Sequence, residues 1–392
     1  WGFFPWSVKR EVLRSVHGPA LRTEHGVYAI RYAGIDEMKQ VEQWLAMNKA
    51  KNFDEWKAAV ALNHIQSFNF VYANRHGDIH FIHNAQLPVR ASGWNWQQYL
   101  PGDRSDLIWQ GYHPTSALPQ VTNPASGFLH SANQTPFNVT EAQDNPQPNT
   151  VPADGGWQTR MTNRATRGLE LFADFEQISF DEAWQLKHDN SYSVNYRGMT
   201  FLSEVTALPR SDDTVSRAIE ILENWDRGTD KDNRGAALGV CVLAAEWQAE
   251  SGGTSNPDAQ VILDNCIDQT LEIGGRFDPR WGDVNRHGRD DTHWPVAGGP
   301  DTLRAIYSRR LDGDDHLTAV AGDGLYYVIR WTPDGEQKLL GTHQYGNDMT
   351  NPESPHYLDQ AEDYTNEILH EPLYTSDSRK GRVERRYTVR SD

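Results

Sequence analysis

The spacing of apolar and polar positions changes along the 392-residue chain and predicts different elements in different regions. Residues 1–138 are mainly strand-rich. Val27-Tyr28-Ala29-Ile30-Arg31-Tyr32 is a run of strand formers. Between Asp36 and Val60 the spacing shifts to threes and fours. It predicts a helix with Met38, Val41, Trp44 and Leu45 on its apolar face. Phe70-Val71-Tyr72-Ala73 and Ile79-His80-Phe81-Ile82 then flank Asn74-Arg75-His76-Gly77-Asp78. This predicts a hairpin in which Gly77 takes the left-handed turn position. Residues 139–156, rich in Pro, Asn, Asp and Gly, read as a surface loop.

Residues 157–273 read as a helical region. Ser179-Phe180-Asp181-Glu182 is a capping box that opens one helix. Asp213 precedes another, with Val215, Ile219, Leu222 and Trp225 on one face. Ala236 to Ala249 is apolar on most sides and predicts a buried helix. Residues 274–392 return to strand character. Leu325-Tyr326-Tyr327-Val328-Ile329-Arg330-Trp331 runs into the turn Thr332-Pro333-Asp334-Gly335 and then Lys338-Leu339-Leu340. The basic tail from Arg379 to Arg386 reads as a solvated terminal strand. This order predicts an α+β fold in which strands from distant segments share sheets.

Composition narrows the function. The net charge is -17, and no Lys/Arg cluster occurs before the tail, which argues against nucleic-acid binding. No apolar run reaches the ~18–20 residues of a membrane span; the longest, Ala236 to Trp247, argues against insertion. The 14 Trp, 15 Tyr and 13 Phe suit a carbohydrate or acyl-chain pocket, but filling a core is the plainer reading. The two cysteines, Cys241 and Cys266, allow one disulfide and no framework. The chain opens at Trp1 without Met or a charged n-region, so its start is expected to be missing or removed.

Self-contained catalytic signatures are absent. There is no Gly-Xaa-Ser-Xaa-Gly elbow, P-loop or His-Glu-Xaa-Xaa-His. His287-Gly288-Arg289-Asp290-Asp291-Thr292-His293 could place Asp291 and His293 on one strand face and suit a divalent ion. A polar loop or strand edge is the plainer reading. Among 54 acids, no carboxylate pair stands out for glycoside chemistry.

Other strings are more informative. His17-Gly18-Pro19 is followed by Tyr28-Ala29-Ile30-Arg31-Tyr32-Ala33-Gly34, the 70–82 hairpin and Leu87-Pro88-Val89-Arg90. Asn123-Pro124, Gly127-Phe128-Leu129 and Ser131-Ala132-Asn133-Gln134-Thr135-Pro136 come next. Then follow Met161-Thr162-Asn163-Arg164-Ala165, Trp225-Asp226, Arg280-Trp281-Gly282-Asp283, Pro295-Val296-Ala297-Gly298-Gly299 and Ser354-Pro355-His356-Tyr357-Leu358-Asp359-Gln360. In order and spacing these resemble the large subunit of the penicillin acylase family. The likeness is greatest to its acyl-homoserine-lactone, aculeacin-type and cephalosporin acylase branch.

The resemblance implies a four-layer α/β/β/α N-terminal-nucleophile hydrolase sandwich with a helical insertion, the whole chain being part of one domain. It implies an amidohydrolase that cuts itself into two subunits and attacks an acyl amide with the first Ser of the larger one. The serine's own α-amine serves as base. This chain begins at Trp1, so the resemblance places the nucleophile upstream and leaves the fragment inactive alone. Its expected partners are the small (alpha) subunit, the preceding part of the large subunit and a small-molecule acyl amide; a periplasmic or secreted bacterial location is also implied.

By the same resemblance, Asn133 donates its side-chain amide to the oxyanion and Arg164 orients the active centre. No cofactor is needed for the reaction. A structural calcium is implied in some members, with one carboxylate ligand at Asp144. Gln134 and Phe137 depart from the residues usual at those positions, so no individual substrate carries over. Two rival readings are a carbohydrate-active protein and a non-catalytic relative that binds an acyl ligand.

Overall fold

The computed structural model describes residues 7–383 and 388, and its contacts cluster into two compact units that divide after Met161. In the first unit, β1 (Leu13–Ser15), β2 (Gly18–Thr23) and β3 (Gly26–Ala29) form an antiparallel sheet. The strand expected over Val27–Tyr32 ends at Ala29. Two helices follow, α1 (Gln40–Lys49) and α2 (Phe53–Val60), where one was expected. Asn52 separates them because its side chain accepts the Glu55 N–H and caps α2.

The outward face of α1 corrects the periodicity reading. Met38, Val41, Trp44 and Leu45 are exposed, whereas Gln43 and Met47 are buried. Gln43 wins the inward place because it satisfies three backbone groups. Its Nε2 donates to Val60 O, and its Oε1 accepts the N–H groups of His64 and Ile65. Those bonds outweigh the cost of burying an amide.

The expected hairpin forms. β4 (Ser67–Ala73) pairs with β5 (Ile79–Ala85), and β6 (Gln120–Thr122) joins the other edge of β5. Gly77 has φ 90° in the turn. Phe70, Ile82, Trp56 and Val60 make the core between this sheet and the helices. The expected 139–156 loop has only two short 3₁₀ turns, at 142–144 and 148–150.

The second unit opens with α3 (Asn163–Ala173), α4 (Phe180–Lys187), α5 (Gly198–Thr206), α6 (Asp213–Asn224), α7 (Ala236–Ser251) and α8 (Ala259–Gly274). The Ser179–Glu182 capping box is present. The α6 stripe is buried as expected, with Val215, Ile219, Leu222 and Trp225 all at 5% exposure or less. It packs with Phe201, Leu238, Val242 and Leu263 from α5, α7 and α8.

Cys241 on α7 and Cys266 on α8 form a disulfide. Closing a loop of 25 residues restricts the unfolded chain by an amount worth about 3 kcal/mol. Cys241→Ser with Cys266→Ser is therefore expected to lower the unfolding temperature. A calorimetric melt equal to that of the disulfide-bonded protein would refute a stabilising role.

After the short α9 (Trp281–Val284) come β7 (Asn285–Arg289), β8 (Thr292–Pro295), β9 (Ile306–Arg309) and β10 (Leu317–Gly322). Their order, β8-β7-β10-β9, includes a parallel β7–β10 pair, so distant segments do share a sheet. β11 (Leu325–Trp331) and β12 (Gln337–His343) make a second hairpin, followed by α10 (Ala361–Thr365). The β7–β8 turn takes Asp290 and Asp291, leaving only His293 on β8. The stretch is thus a polar turn at a strand edge, the plainer of the two readings, and Asp291 and His293 do not share a strand face because the turn ends between them. The basic tail is in turns over Arg379–Gly381 rather than a strand. Residues 384–386 of the expected strand lie outside the described residues.

Candidate active site

Asn133 lies in a tight bend with φ 63°, a left-handed conformation that Asn tolerates better than most residues. The bend is held from below by Gln134, only 3% exposed. Gln134 Oε1 accepts Ala132 N–H at 2.6 Å, and its Nε2 donates to His130 O and Asn138 O at 3.0 and 3.1 Å. Next to it, Thr135 N–H donates to Arg160 O. Buried Ala132, Gln134 and Thr135 thus surround an exposed Asn133. The backbone of the bend is thus held by its neighbours at an exposed Asn133.

The same unit holds a cavity of about 910 Å³. Trp157 lines it and meets His83 and Phe137 edge-on, at ring separations of 5.8 and 6.4 Å. His83 also lines the cavity. Its Nδ1 donates to Asn69 Oδ1 at 2.7 Å, and Asn69 Nδ2 reaches Ser131 Oγ at 3.5 Å. Burial pushes the His83 pKa down, which favours a neutral ring. His83 and Trp157 therefore connect the cavity wall to both sides of the Asn133 bend. Sequence reasoning missed His83 because a lone His on a strand looks like any half-buried polar residue.

Arg164 lies in the first turn of α3, in the second unit. Its Nε donates to Asp301 Oδ1 at 3.1 Å, and the Asn163 N–H donates to Asp301 Oδ2 at 2.7 Å. Asp301 is 1% exposed with φ 61°, so one buried carboxylate both caps the helix and fixes the guanidinium. Burial raises the Asp301 pKa, while the Asn163 N–H and Arg164 oppose that shift. Asn163 adds a second tie: its Nδ2 donates to Asp301 O, and its Oδ1 accepts Ser193 N–H.

Asp301 was also missed in the sequence, yet several strings that carried the resemblance converge on its loop. Trp281 Nε1 donates to Gly298 O, Gly298 N–H to Thr229 O, and Tyr192 Oη to Pro300 O. Gly298 has φ 100°, and a Cβ there would sit 2.1 Å from Arg304 O. These residues shape the loop that presents Asp301 to Arg164.

Asp144 has a different place. Its Oδ2 accepts the Ser126 N–H at 3.0 Å. Among the described residues, no group of three or more His, Cys, Asp or Glu side chains could hold a metal.

The sequence profile described as penicillin amidase matches residues 5–381. The chain belongs to the penicillin amidase family. It is 28% identical over 221 residues to penicillin G acylase of Escherichia coli, covering 55% of this chain and 25% of that protein. It is 22% identical over 416 aligned positions to acyl-homoserine lactone acylase PvdQ of Pseudomonas syringae pv. syringae (strain B728a), covering 92% of this chain and 52% of that protein. The chain therefore spans about half or less of the curated relatives it matches. Its fold is that of the solved thermostable penicillin G acylase from Alcaligenes faecalis, with a TM-score of 0.60 at 17% identity over 97% of this chain and 78% of that one. The penicillin amidase family member described here thus has the expected α+β, N-terminal-nucleophile hydrolase fold. Among its described residues, the strands form four small sheets of two to four strands.

Proposed function

We propose that this chain is the later part of the large subunit of an amidohydrolase that releases an acyl group from an N-acylated small molecule. The observation that carries the reading is the exposed Asn133, in a bend locked by buried Gln134, in a chain of this family. Asn133 supplies an oxyanion donor fixed before charge develops. Arg164, held by Asp301, orients the active centre. The nucleophile is a Ser at the start of the large subunit, upstream of Trp1. A free α-amine has a pKa near ~8 and takes the hydroxyl proton without a His or Asp partner. An acyl-enzyme forms, and water hydrolyses it without a cofactor.

The small subunit and the preceding part of the large subunit complete the protein. The names of the relatives make β-lactam amides and acyl-homoserine lactones the first substrates to try. The Cys241–Cys266 disulfide supports export to a periplasmic or extracellular compartment. Expressing the full-length gene, with intact-mass and N-terminal analysis, tests this reading. Two subunits, the larger beginning with Ser, together with hydrolysis of an acyl amide, are expected. A single uncut chain that binds acyl amides without cleaving them would instead identify a non-catalytic relative.

A further inference from the structure

Pro300, the residue before Asp301, lines a second cavity, of about 320 Å³, within the second unit. The proposed reaction makes no use of it. Its floor is apolar: Ala237 and Val240 of α7, Trp281, Ile306 and Leu317 are each 9% exposed or less. The described lining residues include no Asp or Glu, but they do include Arg309 and Arg310.

The two arginines differ in their pairing. Arg310 is committed: its Nη1 pairs with Glu272 Oε1 at 2.5 Å, and its Nε donates to Asp314 O at 2.9 Å. Arg309, the last residue of β9, is exposed, and its side chain has no ion pair or hydrogen bond among the described residues. Gln248 on α7 and Gln269 on α8 also line the cavity. Neither side-chain amide has a hydrogen-bond partner among the described residues. Three polar groups from three elements thus flank an apolar floor with their hydrogen-bonding capacity unused by the chain.

Such a recess recognises a ligand in two ways. Burial against the floor favours an apolar body. The guanidinium favours a carboxylate or sulfonate, which it meets with two parallel N–H groups. A recess lined by one sign of charge draws the other sign even on a chain of net charge -17. Small-ligand pockets begin near ~300 Å³, so the occupant is a compact molecule and not a long chain.

We infer that this cavity is a ligand site for a compact amphipathic anion, a carboxylate or sulfonate on a one- or two-ring apolar body. Arg309 is its anion contact, and Gln248 and Gln269 flank it. The occupant packs against the loop that fixes Arg164. Pro300 O accepts Tyr192 Oη at 2.7 Å, and Trp281 Nε1 donates to Gly298 O at 2.9 Å, so two lining residues brace the loop on either side of Gly299. A ligand there is an effector of the Asp301–Arg164 pair and not a substrate.

Isothermal titration of the full-length protein with naphthalene-2-sulfonate and its neutral sulfonamide tests the site. The sulfonate is expected to bind about tenfold or more tighter than the sulfonamide, with a preference that weakens as salt rises. Arg309 is exposed and unpaired, so Arg309→Gln leaves the fold intact; it should remove most of the preference. Ala245→Phe narrows the cavity from its α7 wall and should weaken both probes. A thermal melt checks each fold, and Arg309→Gln decides the question alone if Ala245→Phe unfolds. Binding of the sulfonate should also slow amide hydrogen exchange over residues 296–304. The inference is overturned if neither probe binds, if the sulfonamide binds as tightly as the sulfonate, if Arg309→Gln leaves the preference unchanged, or if exchange over 296–304 stays the same. No arm measures turnover, so this site and the acylase reading fail separately.

Discussion

Asn133→Ala in the full-length protein is expected to fold and process normally but to turn over amides about 10²–10³-fold more slowly. A donor aimed at the developing oxyanion does little for the ground state. The loss should therefore fall on kcat and on kcat/KM alike, with KM little changed. The bend itself should survive, because Gln134 bonds to Ala132, His130 and Asn138. Ala is less at ease than Asn at φ 63°, at a cost of about 1–2 kcal/mol. Asn133→Gly separates the effects, since it removes the same amide without that penalty. Both variants should lose turnover similarly. If either works at the wild-type rate, Asn133 is a turn residue and the oxyanion assignment is wrong.

The second large effect concerns acid. Stability should be nearly flat above pH ~6.5 and fall steeply as the pH drops toward ~4. The cause is buried neutral histidine. Burial lowers His80, His188 and His287 from 6.5 to about 4. Lys57 adds to the shift at His80; at His188, Lys187 and Arg304 add to it while Asp323 opposes it. Arg304, His293 and Arg289 add to it at His287. Backbone hydrogen bonds oppose the shift in each case.

The sign follows from proton counts. Between the folded and unfolded values, the unfolded chain binds a proton that the folded chain refuses, so acid favours unfolding. His80 and His287 are each 2% exposed, and a fall of this size amounts to about 3 kcal/mol apiece. Asp301 and Glu367, whose pKa values burial raises, act the other way just above the ordinary carboxylate range. Thermal melts at stepped pH measure the net slope. His80→Gln and His287→Gln should flatten it; an unchanged slope in both would refute the histidine account.

The sequence carried more of the family than of the site. Capping chemistry and the α6 stripe were legible because they depend on residues three and four apart. The 70–82 hairpin was legible because its turn and both strands are contiguous. The α1 face was misread. The periodicity put Val41, Trp44 and Leu45 on one stripe of α1 and extended it wrongly to Met38, which precedes the helix, and nothing local shows that Gln43 would satisfy backbone groups some twenty residues away. Asn133 and Arg164 were reached through ordered motif strings, which record shared descent rather than local geometry.

What held those residues in place was not visible in the chain. Asp301 is one of 54 acids, and it meets Arg164 across 137 positions of sequence. Arg31, Arg90, Trp109 and Trp157 likewise carry no pattern that predicts a shared cavity. By itself, the sequence determined the helices, the hairpins and the membership of a family, because each rests on short-range periodicity or on the order of motifs. Only the tertiary structure decided which carboxylate fixes Arg164 and how Gln134 holds the bend at Asn133. Such pairings depend on where distant backbone segments meet, and burial strengthens them through lost solvent screening, which no local pattern encodes.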